Sequence, residues 1–195
     1  MSKHLERRAF AAELRVDRAG EKPVIRGHAA VFNALSEDLG GFREQIAPGA
    51  FKNAIGRDDV RALFNHDSNL ILGRNKAGTL RMSEDDTGLA IEIDPPDTQY
   101  ARDLMVSMER GDITQMSFGF SVTKQGQKWE ENGQTHTRTL TDVRLYDVSP
   151  VTLPAYPQTD VALRSLTEFK AEQVPPVATP VRPNAARELL LREKS

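Results

Sequence analysis

The clearest alternation of apolar and polar positions lies at residues 115–123. Large apolar side chains there alternate with small or polar ones, which is the period of a β-strand. One face of this predicted strand is bulky and apolar, as a core requires, whereas the other carries serine, glycine and threonine and is expected to be open. Gly119 suggests a close approach of backbone or ligand. Ser117 is therefore either an accessible nucleophile or one residue of a solvated strand surface.

Shorter apolar or alternating runs predict the other strands, and turn-forming residues separate them. The Asn132-Gly133 pair, for example, is typical of a β-hairpin turn. The other predicted strands cover residues 10–16, 24–32, 42–46, 60–65, 70–73, 79–82, 89–93 and 135–146, with an extended continuation at 147–153.

Three segments show helical features instead. A proline near the start favours a short helix at residues 48–55, and apolar residues at helical spacing predict helices at 97–110 and 159–172. Gly111 follows the second of these at the position where a C-terminal cap is common. Many short strands with a few helices predict an α+β domain or a β-barrel with helices around it.

The length of 195 residues suits one domain and a tail. We expect the domain at residues 1–165 and a helix-prone, proline-rich tail at residues 166–195. Within that tail, residues 174–183 are rich in proline, which favours an extended linker without a core.

Composition excludes several classes of protein. A net charge of −2 at pH 7 leaves no basic surface for nucleic acid, and the absence of cysteine excludes disulfides and thiolate chemistry. No apolar run is long enough for a transmembrane helix, and the charged residues 1–8 do not resemble a signal peptide. We therefore expect a soluble intracellular protein without nucleic-acid or membrane partners.

Motifs for nucleotide, zinc or calcium binding are missing from the sequence. The acidic run at residues 83–88 lacks the alternating ligands of a calcium loop and is typical of a hairpin turn. The sequence therefore predicts neither a cofactor nor a metal site.

His66 stands out among the four histidines. It is in phase with the apolar residues two and four positions before it, so its ring is expected at the boundary between core and solvent. There it could act as a general base or cap the loop. We expect His4 and His136 on the surface, and His28, inside a strand, in a structural role.

Asp147 occupies an apolar stripe together with Val143, Leu145 and Val151. A buried, ionised carboxylate is costly unless it is paired or hydrogen-bonded. Its expected partner is either an imidazole N–H or backbone amides at a strand end.

Ser117, His66 and Asp147 supply one member each of a nucleophile, base and orienting acid. Their order along the chain matches none of the familiar serine hydrolase orders, and Gln115 excludes a G-x-S-x-G elbow. Spacing alone therefore leaves this triad a weak hypothesis.

Five stretches, taken together and in this order, resemble the prohead maturation proteases of tailed phages, whose fold is related to herpesvirus assemblin. The resemblance extends from about residue 8 to residue 165. The stretches are IRGHAAVFN at 25–33, FREQIAPGAF at 42–51, LFNHD at 63–67, MSFGF at 116–120 and DVSPVTLPAY at 147–156.

This resemblance implies an assemblin-like α+β fold, a mostly antiparallel β-barrel surrounded by a few helices. It places the nucleophile at Ser117, the catalytic histidine at His66 and the acidic member at Asp147, where many relatives have glutamate. The oxyanion donors would be backbone amides, for which we expect a loop just after Asp147.

The implied activity is that of a serine endopeptidase inside the procapsid, in the host cytoplasm and not secreted. Its expected substrates are the scaffold, the N-terminal scaffold-like part of the capsid protein, and the protease itself, and a homodimer is plausible from the herpesvirus relatives. The alternative is a non-catalytic procapsid assembly or scaffolding protein that keeps the protease fold. The tail would be a removable or scaffold-binding segment, or a passive terminus.

Overall fold

The computed structural model describes residues 5–11, 14–133, 135–153 and 160–173. Within these residues, a 3₁₀ turn at Asn75–Ala77 joins two of the strands. In chain order the elements are β1 (Glu6–Ala11), β2 (Arg15–Asp17), β3 (Val24–Val31), β4 (Phe42–Ile46), α1 (Lys52–Arg57), β5 (Arg61–Phe64), β6 (Asp67–Arg74), β7 (Leu80–Glu84), β8 (Gly88–Ile93), α2 (Gln99–Glu109), β9 (Gln115–Val122), β10 (Gln127–Asn132), β11 (Thr135–Leu140), β12 (Val143–Val151) and α3 (Asp160–Gln173).

The described strands form three sheets. The first has the order β1-β9-β12-β5-β6, the second β10-β11-β4 and the third β2-β3-β8-β7. Neighbours are antiparallel except for β12 with β5 and β11 with β4. The α+β prediction is confirmed. These three sheets do not close into one barrel, so the barrel remains a prediction.

The apolar face of β9 lies at the centre of the main core. Met116, Phe118 and Phe120 are fully buried, and the Phe118 ring lies 4.9 Å from Phe120 and 5.5 Å from Phe51 between centroids. Burial of each such ring contributes on the order of 2–3 kcal/mol. The alternation in the sequence predicted this face correctly, and it anchors the strand that carries Ser117.

Helix α2 also follows its predicted pattern. Its buried side chains lie on one stripe and belong to Ala101, Leu104, Met105 and Met108. Gly111 ends the helix with a left-handed φ of 80°, and its amide donates to the carbonyl of Met108. Among the described residues, none of the helices is long and apolar enough to cross a membrane.

Two predicted strands are each divided between two sheets. Residues 10–16 contribute to β1 and β2, and residues 135–146 contribute to β11 and β12. At the second division, the amides of Thr141 and Asp142 both donate to the carbonyl of Gly126, which turns the chain out of the second sheet. Alternation identifies extended backbone but not the sheet to which it belongs.

Helix α3 packs on the second sheet. Leu166 is buried with Leu39 and Phe42, and the Phe169 ring stacks on Trp129 at 5.2 Å between centroids. The predicted helix at 159–172 is confirmed. The predicted domain boundary at residue 165 falls inside this helix and remains a prediction, and the proline-rich segment 174–183 lies outside the described residues.

Candidate active site

Ser117 lies in the middle of the first sheet. Strand β9 runs between β1 and β12, and Ser117 is in register with Ala9 on one side and Ser149 on the other. Its side chain is on the face opposite the phenylalanines, yet it is fully buried. The prediction of an open face is wrong, because side chains from β12 and the imidazole of His66 lie against it.

His66 belongs to a two-residue turn and not to the strand before it. Phe64 pairs with Asp67, and the two residues between them, Asn65 and His66, have φ values of 53° and 59°. Positive φ at both central positions is the signature of the tight hairpin turn that matches strand twist. The prediction that His66 continues the phase of β5 is therefore wrong, since a left-handed turn resets the direction of the side chains.

Asn65 ties this turn to the end of β12. Its amide donates to the carbonyl of Pro150 at 3.0 Å, and its side-chain oxygen accepts from the amide of Thr152 at 2.9 Å. Asparagine is one of the few residues that tolerate the left-handed conformation. These contacts hold the backbone from which the His66 ring projects.

The side chain of Asp147 lies on the face of the first sheet that carries Ser117, because β12 has a bulge. Leu145 is opposite Phe120, and the next aligned pair is Asp147 with Gly119, so Tyr146 is the extra residue. Residues two apart in a regular strand share a face, but here Leu145 and Asp147 lie on opposite faces. The prediction that Asp147 shares a stripe with Val143 and Leu145 is wrong, whereas the predicted burial is correct, with Asp147 only 7% exposed.

The structure brings the three predicted residues into one line of hydrogen bonds. His66 Nε2 lies 2.8 Å from Ser117 Oγ, and His66 Nδ1 lies 2.5 Å from Asp147 Oδ2. An ionised carboxylate accepts only, so Nδ1 carries the proton and Nε2 of the neutral ring accepts the serine O–H. A base is thus aligned with a hydroxyl, and a carboxylate with the base.

Residues 10–173 match the family model described as caudovirus prohead serine protease. This chain belongs to that family. It is 30% identical over 154 residues to the prohead protease of Enterobacteria phage HK97, a match that covers 77% of this chain. The match covers 64% of the phage protein, so the chain spans less than two thirds of its relative's length. No solved structure matches the chain.

Two further residues of this prohead serine protease family member touch the Asp147 carboxylate, and the sequence did not reveal their role. Ser149 donates a hydrogen bond to Oδ2 at 2.8 Å. Gly119 faces the other oxygen, since an added Cβ would lie 2.3 Å from Oδ1. The sequence predicted a close approach of backbone or ligand at Gly119, whereas the group that lies close is the side chain of Asp147. The signal for Ser149 was its position two residues after an acid in an extended run.

The loop that we expected to supply the oxyanion donors just after Asp147 is not found at that place. The described residues there continue strand β12 to Val151. The other polar candidates do not join the site either. His28 pairs with Asp85 at 2.8 Å, which fits the structural role predicted for it. His136 is half-buried with its ring 6.0 Å from that of Phe169, so its predicted surface position is wrong. His4 lies outside the described residues.

The acidic run at residues 83–88 is a hairpin turn, as predicted. Asp85 accepts hydrogen bonds from the amides of Thr87 and Gly88 between β7 and β8. Groups of acidic and histidine side chains suited to a metal ion were not found within the described part of the chain.

Proposed function

We propose that this protein is a serine endopeptidase of phage procapsid maturation, with Ser117 as nucleophile, His66 as general base and acid, and Asp147 as the residue that orients His66. The observation that carries the proposal is the continuous line of hydrogen bonds from Ser117 Oγ through the imidazole to Asp147 Oδ2. Membership of the prohead serine protease family supports the same chemistry.

The proposed reaction begins with attack of Ser117 Oγ on the peptide carbonyl carbon. The hydroxyl proton passes to His66 Nε2, and the Asp147 carboxylate stabilises the imidazolium. The imidazolium then gives this proton to the leaving amine, which leaves an acyl ester on Ser117. Water, deprotonated by His66, attacks the ester carbon, and His66 returns that proton to Ser117 Oγ as the ester bond breaks and the carboxylic acid product leaves. The side chain of His66 is only 6% exposed, and charges interact more strongly where water is excluded.

The proposed substrates are the scaffold, the scaffold-like N-terminal part of the capsid protein, and the protease itself. Cleavage would take place inside the procapsid in the host cytoplasm, and self-association into a homodimer is part of this proposal. The protease of the related phage is a prohead protease, which supports a capsid or scaffold protein as the partner.

The complete burial of Ser117 is the observation that favours a second candidate function. A serine without access to solvent fits a non-catalytic procapsid assembly or scaffolding protein that keeps the protease fold. Under the first proposal, the site must open before a peptide carbonyl reaches Oγ.

Expression of the full chain with its capsid protein separates these two functions. We expect the wild-type protein to cut itself or the capsid protein, and Ser117→Ala to leave both chains at full mass, because the variant lacks the nucleophile. Intact-mass spectrometry measures the products. Ser121→Ala is the matched control, a buried serine on the same strand face that bonds to Tyr146, and it should cut like the wild type.

A fluorophosphonate probe with peptide mapping tests the assignment of the nucleophile. The proposal expects the label on Ser117, and a label on Ser121 or Ser149 contradicts that assignment. Wild-type and Ser117→Ala proteins that both stay intact, with the capsid protein uncut, would favour the scaffolding function.

A further inference from the structure

The Asp147 carboxylate accepts two hydrogen bonds on the same oxygen. His66 Nδ1 lies 2.5 Å from Oδ2, and Ser149 Oγ donates to the same Oδ2 at 2.8 Å. Ser149 is fully buried and lies in register with Ser117 across the β9–β12 ladder. A buried hydroxyl has to find an acceptor, and the acceptor of this one is the carboxylate that orients the proposed base.

The second oxygen of the carboxylate is confined by the backbone of β9. An added Cβ at Gly119 would lie 2.3 Å from Oδ1 and 3.2 Å from the carboxyl carbon. Any side chain at this position would therefore displace the carboxylate. Space at Gly119 and the hydroxyl of Ser149 fix the carboxylate from its two sides.

Two donors on one oxygen share the charge of that oxygen. Each hydrogen bond to the ionised form stabilises the carboxylate and reduces the charge available to the other donor. With Ser149 in place, Asp147 orients His66 but stabilises the imidazolium less than an otherwise free carboxylate would. Only an unprotonated imidazole can accept the serine proton.

We propose that Ser149 is a positioning residue of this site. Its hydroxyl shares Oδ2 of Asp147 with His66 and so keeps the imidazole available as a base. Gly119 leaves the space that the carboxylate occupies. This inference rests on the proposed function for its catalytic meaning. Its physical content concerns the protonation of His66 and can be measured without catalysis.

The first experiment is an NMR titration of the His66 imidazole in the full chain. We expect Ser149→Ala to raise the pH of half-protonation by at most about one unit, because the lost hydrogen bond acts directly on the Asp147 carboxylate and only part of its effect reaches the imidazole. Ser121→Ala, the control on the neighbouring strand, should titrate like the wild type. A midpoint in Ser149→Ala that is unchanged or lower overturns the inference, because the shared oxygen then has no effect on His66.

Two further variants act on the same carboxylate. Ser149→Cys keeps the size of the side chain but donates more weakly, so it should raise the midpoint by a smaller amount, and it gives the test if Ser149→Ala fails to fold. Gly119→Ala should lower the midpoint, because the added Cβ displaces the carboxylate from the imidazolium. The same direction of shift for Gly119→Ala and Ser149→Ala would contradict the proposed arrangement.

Labelling by the fluorophosphonate probe as a function of pH separates this inference from the proposed function. A raised midpoint in Ser149→Ala with no label on wild-type Ser117 would contradict the protease function and support the shared oxygen. Label on wild-type Ser117 with an identical pH profile in Ser149→Ala would support the protease and contradict the role of Ser149.

Discussion

Asn65 and His66 adopt a conformation that most residues avoid. Their positive φ values cost roughly 1–2 kcal/mol for a residue other than glycine, less for asparagine. The turn persists because Asn65 bonds through its backbone and its side chain to the segment that ends β12. The strain is stored at the residue that carries the proposed base, which is common at functional sites.

A pair of variants at Asn65 separates backbone strain from hydrogen bonding. Asn65→Gly removes the acceptor for the Thr152 amide and should reduce the free energy of unfolding by about 1 kcal/mol. Asn65→Ala removes the same acceptor and also forces alanine into the left-handed region, so it should cost about 2 kcal/mol. Urea unfolding measures both. Equal losses in the two variants would show that the backbone conformation carries no strain.

The sequence could identify the members of the candidate site but not their arrangement. Ser117, His66 and Asp147 were predicted because their local motifs occur together. Left-handed turns and bulges leave no trace in hydrophobic periodicity, so the directions of His66 and Asp147 required coordinates. The role of Ser149 was hidden for the same reason, since a serine in an extended run has no chemistry until its partner is known.

At the scale of elements, β1 is held to the second sheet by a buried cluster of four charges. Arg8 Nε lies 2.8 Å from Glu44 Oε1, and Arg138 Nη1 lies 2.8 Å from both Glu6 and Glu44. All four side chains are at most 5% exposed. The cluster joins β1, β4 and β11, and β1 is the neighbour of the strand that carries Ser117.

The cluster should make the free energy of unfolding depend on pH in the acidic range. Burial alone would raise the pKa of Glu6, but hydrogen bonds and the positive charges of Arg138 and Arg8 outweigh it and lower that pKa from its usual 4.5. A lowered folded-state pKa stabilises the fold above the unfolded value, and this contribution is lost as pH falls through the folded value.

We therefore expect Glu6→Gln to reduce the free energy of unfolding by about 3 kcal/mol at pH 7. The difference from wild type should shrink as the pH is lowered below 4.5. Urea unfolding at several pH values measures it. Glu109→Gln, which breaks the exposed pair with Arg18, is the control and should have a much smaller effect. A difference for Glu6→Gln that stays constant with pH would contradict the assignment.

This cluster could not be predicted from the sequence. Glu6 and Arg8 lie in a charged N-terminal run, and Arg138 lies in a polar hairpin, so each pattern is typical of a solvated surface. The charges compensate one another only because β4 pairs in parallel with β11. That pairing joins residues about ninety positions apart, and local patterns contain no information on it.

At the scale of the whole molecule, α3 spans the predicted boundary at residue 165 and packs on the second sheet. Leu166 completes a small core with Leu39 and Phe42, and Phe169 covers Trp129. Because this is the single tryptophan of the chain, its fluorescence reports on the contact between α3 and the second sheet.

Two truncations test where the folded unit ends. A chain that ends at residue 173 keeps α3 and loses only residues 174–195, which include the proline-rich segment, so we expect wild-type stability. A chain that ends at residue 165 loses Leu166 and Phe169, so its free energy of unfolding should be lower by about 2–4 kcal/mol. Urea unfolding followed by Trp129 fluorescence measures both. Equal stability of the two chains would support the boundary at residue 165.

The two segments of β12 pair with β9 in registers that differ by one residue. Before the bulge Leu145 lies opposite Phe120, and after it Asp147 lies opposite Gly119 and Ser149 opposite Ser117. An evolutionary loss of Tyr146 would leave Leu145 opposite Phe120 and Asp147 opposite Gly119, because regular pairing restores the same alignment. In an alignment of relatives, a one-residue gap just before the acid is thus compatible with an intact site. A gap between the acid and Ser149 is not, because it would move one of these two side chains to the other face.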